Sequence, residues 1–357
     1  MISAEVYLAR LPDSASEKAQ AEAVRRVLTA AGFIGRLAKK DLVAIKLHVG
    51  EHKNVTHLRP ELAAAAVKMI REAEAWAFLT DTSTLYRSRR DHAVKHVLHA
   101  HAHGFTIEAT GAPFLPVDGL VGRHEAEVRV DGELHRSVKV AGEILLADAL
   151  LVLSHPTGHM ATGLGAAIKN VGMGLSSRAG KMRQHSSIQP EVMAKLCQNC
   201  SKCRKWCPTD AIQERGDHSW IDPERCLGCG ECLAVCRHGA VKFDYRVQSA
   251  PLQKSVTEHA AAVVRHFGKK AVFVNALVNM TKDCDCFNKA QEKILPDLGI
   301  LASTDIVAAD QATLDLTTKA AGQSLAAKAY SILDPAIQLA HAEKLGIGSR
   351  QYRLVEV

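Results

Sequence analysis

Apolar positions along the first 110 residues switch between two periods. Short alternating or wholly apolar runs at Glu5–Ala9, Leu42–His48, Trp76–Leu79 and Phe105–Ala109 read as strands. Between them, apolar residues recur at three- and four-residue spacing over Ser16–Ala31, Pro60–Ala73 and about Arg89–His101, which predicts helices; Ser14 or Ser16 can cap the first. Residues 112–141 are less regular, with β-like pieces at Glu127–Val130 and Ser137–Val140. Ala149–Ser154 reads as a buried strand that leads through a Gly-rich turn into a helix near Gly163–Val171, and residues 175–190 read as a polar, turn-rich linker. After a cysteine-rich stretch the rhythm resumes with helix Ser255–Phe267, strands Ala271–Val278 and Gly299–Ala302, helix Ile306–Leu314, and helical stretches to about residue 343.

Strand–helix alternation on both sides of that stretch predicts an α/β fold: a mostly parallel sheet with helices on both faces, and a small α+β domain inserted into it. The expected division is 1–187 for the first part of the α/β domain, 188–245 for the insert and 246–357 for the remainder. Three separate domains fit less well, because 245–357 alone offers few strands from which to build a sheet.

Composition adds exclusions. The 357 residues are 47% hydrophobic and 23% charged, as in globular chains, and only 4% aromatic, so the core must rest on Ala, Val, Leu and Ile. The longest apolar run, Glu143–Leu153, is too short for a bilayer and is broken by Asp148. The N-terminus shows no export signal, and a cytoplasmic protein is expected by default. The net charge of +7 is spread out, with few aromatics to stack on bases, which argues against nucleic acid.

Cysteine changes the picture most. Eight of the ten lie within forty residues. Cys197, Cys200, Cys203 and Cys207 follow C-x2-C-x2-C-x3-C, and Cys226, Cys229, Cys232 and Cys236 repeat that spacing at an offset of 29. Three thiolates at two-residue gaps wrap three irons of a cube, while the fourth is too far along to close the same cube and ligates the other one. The expectation is two [4Fe–4S] clusters in a bacterial-type ferredoxin arrangement. Cluster I takes Cys197, Cys200, Cys203 and Cys236; cluster II takes Cys226, Cys229, Cys232 and Cys207. Structural zinc would explain neither the third cysteine nor the x3 step. Arg237 departs from the pattern, standing where the first half has Pro208. Basic residues around the first motif (Arg178, Lys181, Arg183, Lys195, Lys202, Arg204, Lys205) form either a docking face for an acidic redox partner or a solvated surface.

The flanks resemble the iron–sulfur proteins of the "domain of unknown function 362" family over nearly the whole chain. The resemblance rests on Lys46-Leu47-His48-Val49-Gly50-Glu51, Asp81-Thr82-Ser83-Thr84-Leu85-Tyr86, Gly158-His159, Ile168-Lys169-Asn170, Gly172-Met173-Gly174, Asp283-Cys284-Asp285-Cys286 and Pro296-Asp297-Leu298-Gly299-Ile300. It implies a shared fold and supplies no reaction.

The same segments carry candidate chemistry of their own. His48 and Glu51 follow one predicted strand, Asp81 the next, and His155 and His159 another, so these groups converge on the carboxyl edge of a parallel sheet, where ligands bind. Glu51, Asp81, His155 and Lys169 are the expected ligand pocket. Gly158, Gly163, Gly165, Gly172 and Gly174 with Lys169 resemble an anion-cradling loop, and tight helix–strand packing explains them almost as well. Cys284 and Cys286 flank Asp285; a disulfide across one residue is not expected. They could hold an additional metal ion with His48, His155 or His159, or serve a redox role, or be buried without ligands. His92, His96, His99 and His103 lie on one helix face, read as a partly exposed edge rather than a metal site.

The functional expectation is a low-potential electron-transfer protein working with a redox partner such as a flavodoxin or a ferredoxin-dependent enzyme. The rival is an oxidoreductase whose clusters feed a substrate or metal site at the sheet's carboxyl edge. The size of the scaffold favours the rival.

Overall fold

The computed structural model describes residues 4–185, 190–226, 231–242 and 249–357. Seven strands form one sheet: β1 (Ala4–Arg10), β2 (Leu42–Lys46), β3 (Trp76–Thr80), β4 (Ala149–Ser154), β5 (Ala271–Leu277), β6 (Gly299–Ser303) and β7 (Tyr352–Glu356). Their spatial order is β7-β1-β6-β5-β4-β2-β3, and β6 alone runs antiparallel to its neighbours. The predicted mostly parallel α/β sheet is therefore present. Among the described residues, no helix is long and apolar enough to cross a membrane.

Period-two alternation divides the core cleanly. From β5, Phe273 and Leu277 enter one hydrophobic cluster while Val272, Val274 and Ala276 enter the other; from β4, Leu150 and Val152 oppose Leu151 and Leu153. The second cluster is covered by helices α1 (Glu17–Ala30) and α2 (Pro60–Glu72). The first is covered by α4 (Ala167–Gly172), α6 (Ser249–Phe267), α7 (Ile306–Ala321) and α8 (Ala336–Lys344). Two further helices, α3 (Ala93–Ala102) and α5 (Arg178–Gln184), flank the carboxyl edge.

Local chemistry starts and stops these helices. Ser16 accepts from the Ala19 amide at the head of α1, Pro60 opens α2, and Asp305 accepts from the Val307 and Ala308 amides at the head of α7. Helix α4 is capped from a distance. The Asp310 carboxylate, buried on α7, accepts from the Ala167 and Ile168 amides at 2.9 Å each and from Asn275 of β5 at 2.9 Å. The amides that might have cradled an anion are thus already used, and the neighbouring glycines serve packing. A Cβ on Gly172 would stand 2.0 Å from the Val256 carbonyl of α6.

Three elements differ from the sequence reading. Phe105–Ala109 is not a strand: Thr106 accepts from Ala109 at 3.1 Å and starts a short helix, Ile107–Thr110, that ends at Gly111. Residues 175–185 are not a linker, since α5 buries Ala179, Lys181, Met182 and Gln184. Strand β7 was not anticipated; it pairs with β1 at the sheet's edge and is only half-buried.

Within the cysteine segment, Ile212–Arg215 and His218–Ile221 form a hairpin, and Glu191–Val192 pairs with Val241–Lys242. The second pairing brings the two ends of the segment together. Ile212, Ile221, Cys232, Leu233 and Val241 form its apolar centre, into which Leu85 and Met182 of the α/β part are packed.

Asp310→Ala would orphan two helix amides and remove one of the acceptors of the buried Asn275 side chain, which keeps Thr313 and the Ala309 carbonyl. It is expected to cost about 2–4 kcal/mol in denaturant unfolding, whereas Asp310→Asn should cost less.

Candidate active site

The strand order reverses between β2 and β4. From β2 the chain moves outward through α2 to β3, and from β4 it moves the other way to β5, over the opposite face. The crevice outside the carboxyl ends at such a point is where open α/β sheets bind ligands. A cavity of about 760 Å³ lies there, lined by His48 and Glu51 after β2, Asp81 after β3, His159 after β4, Lys169 of α4 and Cys286 after β5.

Its floor is a buried charge network. Lys46, Glu51, Asp81 and Arg90 are each at most 3% exposed. Lys46 ends β2 with its ammonium 3.1 Å from Asp81 and 2.6 Å from the Asn170 side-chain oxygen. Arg90 donates to Glu51 at 2.9 Å and to Asp81 at 3.4 Å, and its other terminal nitrogen donates to the Tyr86 hydroxyl at 2.9 Å. Burial alone would raise the Asp81 carboxyl, but Lys46, His96 and Arg90 outweigh it and hold it below its ordinary range. Glu51 ties in the fifth strand, because its amide donates to the Asp285 carbonyl at 2.9 Å.

The loop after β2 is held by histidines. Gly50 sits at φ +77°, and its amide donates to His48 Nδ1 at 2.9 Å. The carbonyls of Gly50 and Val49 meet His99 Nε2 at 2.9 Å and His103 Nδ1 at 2.7 Å from α3. The histidine face of α3 is therefore partly exposed only at its two ends, His92 and His103. His96 and His99 are buried, with His96 lowered to about 3 by burial, and His92 caps the helix by accepting from Lys95.

The neutral histidines present donors. Burial, aided by the charges of Arg90 and Lys46, holds the His48 pKa well below its ordinary value. With Nδ1 accepting from Gly50, its proton resides on Nε2. Burial and Lys169 likewise depress His159, which receives the Thr162 amide on Nδ1 at 3.1 Å. His155 differs: its nitrogens lie 2.9 Å from Asp285 and 2.9 Å from the Val278 carbonyl. Burial would lower its pKa, but the neighbouring carboxylate outweighs burial and raises it. It lines a satellite cavity of about 50 Å³ with His48, Lys169, Cys284 and Cys286.

Lys169 and Lys181 are lowered to about 8, both chiefly by burial, with Lys46 and Arg90 adding to the effect. Lys181 donates to Thr82 and to the Ser83 carbonyl, so it is no part of an exposed docking face. Lys195, Lys202 and Lys205 do remain exposed. Across the larger cavity six cationic side chains face two carboxylates among the described residues, which suits an anionic ligand.

The remaining expectations also find places. Cys284 and Cys286 are joined as a disulfide, which the sequence reading did not expect. The chain turns back at Asp285, with the Phe287 amide donating to the Cys284 carbonyl at 3.0 Å. That brings the two Cα atoms to 5.3 Å, within bridging range. A donor nitrogen of His159 and both sulfurs lie within 4.8 Å of one another, while His48 is not in that group. Seven of the eight motif cysteines are described; Cys229 lies outside the described residues. Cys197 Sγ accepts from the Asn199 and Ser219 amides at 3.4 Å each, and Cys207 Sγ from the Ala211 amide at 3.2 Å. Burial raises the Cys203 thiol, and the proximity of Cys236 and Cys197 adds to it.

Sequence reasoning missed Lys46, Arg90 and Asn170 as site residues. Lys46 carried a signal, since a lysine closing a wholly apolar strand must find a buried partner. Arg90 sits in Arg87-Ser88-Arg89-Arg90 and looks like a surface cation.

Known proteins share parts of this chain. The family model described as "Domain of unknown function (DUF362)" matches residues 43–315. The chain is 41% identical over 47 residues to a component of the ion-translocating oxidoreductase complex of Methanosarcina acetivorans, covering 13% of this chain and 18% of that one. It is 30% identical over 71 residues to a probable iron-sulfur protein of the Frd operon of Proteus vulgaris, 20% of this chain and 42% of that one. It is 37% identical over 54 residues to a ferredoxin of Alicyclobacillus acidocaldarius, 15% of this chain and 69% of that one. The chain thus spans less than half the length of the first two relatives. Among solved structures, a Thermotoga maritima protein gives a TM-score of 0.46 at 13% identity over 87% of this chain and 60% of that one. The lactate racemase apoprotein of Thermoanaerobacterium thermosaccharolyticum gives 0.35 at 11% identity over 65% of this chain and 48% of that one.

Two outcomes test this site. Asp81→Ala leaves Lys46 without a carboxylate partner in the interior, with Arg90 still paired to Glu51, and is expected to lose about 3–5 kcal/mol in chemical denaturation. Lys169, lowered to about 8, should acylate at limiting reagent ahead of surface lysines, its free-amine fraction at pH 7.5 being roughly two hundred times theirs. Peptide mapping should show labelling that rises with pH through about 8.

Proposed function

The chain belongs to the DUF362 family, and from that premise we propose that it is a low-potential iron–sulfur protein whose two [4Fe–4S] clusters deliver electrons to the cavity at the sheet's carboxyl edge. The clusters are carried by residues 188–245 as an insert in the α/β domain. Cluster I is bound by Cys197, Cys200, Cys203 and Cys236, and cluster II by Cys226, Cys229, Cys232 and Cys207. The proximity of Cys203, Cys197 and Cys236 supports the crossed set, and amide donors to Cys197 and Cys207 suit thiolates that carry cluster charge. The relatives named as a ferredoxin and an iron–sulfur protein support electron transfer, and their matches of 54 and 71 residues have the length of the cysteine segment with its flanks.

One observation carries the step from electron carrier to oxidoreductase. Leu85, Tyr86 and Arg87 line the cavity at the sheet edge and also a groove of about 1160 Å³ that runs beside Cys236 and Arg237. Leu85 is at the same time part of the apolar centre around Cys232. Three consecutive residues therefore separate the cluster cysteines from the ligand cavity. Electrons enter from a one-electron carrier such as a flavodoxin or ferredoxin, for which exposed Lys195, Lys202 and Lys205 offer an acid-complementary face.

Protein purified without oxygen is expected to hold about eight irons and eight sulfides per chain and to bleach on reduction. Four irons, or bound zinc in their place, would defeat the two-cluster assignment. Cys226→Ser should remove one cluster's iron and leave the other's.

A further inference from the structure

We propose that Cys284 and Cys286 form a two-electron relay in the cavity, the disulfide being reduced to a dithiol by electrons from the two clusters. The inference rests on the reading of residues 188–245 as a two-cluster segment, and it concerns what receives the electrons there.

The bridge does little for the fold. It closes a loop of only three residues, so it restrains the unfolded chain far less than a long-range cross-link would. The turn that bears it is already pinned. Asp285 receives Glu51 on its carbonyl and His155 on its carboxylate, and Thr281 donates to the Asp283 carbonyl at 2.7 Å. A disulfide that stabilises little and lies on a ligand cavity is placed for chemistry.

Its surroundings supply what reduction needs. Cys284 is buried and Cys286 half-buried, and Cys286 faces both cavities. The Tyr86 hydroxyl lies 3.3 Å from the Cys286 carbonyl, and Tyr86 is also a wall of the groove beside Cys236. The segment that separates the cavity from the cluster cysteines thus touches the disulfide turn directly. His159 lies beside both sulfurs, and Lys169 lines both cavities that Cys286 enters. An ammonium lowered to about 8 is a competent proton donor to a nascent thiolate near neutral pH.

In the reduction the Sγ–Sγ bond breaks, and each sulfur gains one electron and one proton. The clusters that the two cysteine sets would hold would supply the two electrons, one each. Lys169 donates the two protons one after the other, recovering each from water in the open cavity, and a low-potential one-electron carrier protein supplies the two electrons that the clusters pass on. Two single-electron deliveries are thereby stored as one two-electron, two-proton equivalent at the ligand site.

The test uses the intact holoprotein without oxygen, with a light-driven one-electron reductant as probe. Full titration should take up about four electrons per chain, one per cluster and two at the disulfide, against about two for Cys286→Ser. After a sub-stoichiometric pulse, the bleached cluster absorbance of the wild type should recover as its Cys284–Cys286 peptide becomes doubly alkylatable. The Cys286→Ser protein should stay bleached. The wild-type recovery and alkylation readouts require no variant, so a variant that fails to fold does not blunt them. Clusters that bleach and stay bleached over an intact disulfide would overturn the relay and leave the proposed function standing. Absence of bleaching would defeat the two-cluster reading itself. Thiolates of both cysteines found on a metal ion before any reductant is added would also overturn the relay.

Discussion

The site is built on one neutral group of four buried charges. Lys46 and Arg90 face Asp81 and Glu51 in a space nearly closed to water, and each charge is tolerable only because the others are in place. Their positions in the chain explain their structural reach. Lys46 ends β2, Asp81 follows β3, Glu51 lies in the loop after β2, and Arg90 comes from the segment that leads into α3. Pairing them fixes the ends of two adjacent strands against the loops that leave them. Glu51 then extends the lock to the turn after β5 through its amide. A hydrophobic core could have joined these elements with less desolvation, so the charges are retained for what they present rather than for what they hold.

What they present is a cavity with donors pointing inward. Two histidines whose Nδ1 atoms receive backbone amides keep their protons on Nε2, and two lysines stand near neutral pH in their titration. The histidine-rich face of α3 belongs to this arrangement at one remove. His99 and His103 grip the carbonyls of the loop that carries His48 and Glu51, so they position the site without lining it. The iron–sulfur segment packs on Leu85 and lines a groove on the far side of Leu85 and its two successors, which themselves line the cavity. One loop therefore answers to both the charge network, through Tyr86, and the cluster cysteines, through Leu85.

The sheet was legible in the sequence because its strands are buried on both faces. Ala149–Ser154 and Ala271–Leu277 are almost wholly apolar, and a run of that kind between helical patterns leaves little choice of structure. The carboxyl-edge location of the site followed from the same pattern, since His48, Glu51, Asp81 and His159 each come just after a recognisable strand. The failures have equally local causes. Phe105–Ala109 has strand-like apolar content, but Thr106 caps a helical turn before a strand can extend. Helix α5 reads as a linker because Arg178, Lys181 and Arg183 look solvated, whereas Lys181 finds partners in Thr82 and Ser83 only once β3 and α5 are brought together. Arg90 was invisible for that reason as well. Partners supplied by tertiary structure leave no periodic trace, and a buried arginine in a run of arginines has no distinguishing neighbour.

Charge also bears on why a site proposed to receive electrons would be assembled in this way. Every electron that reaches the cavity adds negative charge to a poorly solvated space, where an uncompensated charge is costly. The walls meet that cost in advance: among the described residues, six cationic side chains against two carboxylates leave an excess of positive charge before any electron arrives. Two of those cations, Lys169 and Lys181, can also release a proton near neutral pH, so charge can be neutralised by transfer as well as by proximity. A site that only bound an anion would need the first property and not the second. The two together suit an anionic ligand that is reduced and protonated where it binds, with the buried network below holding the geometry constant while the charge above it changes.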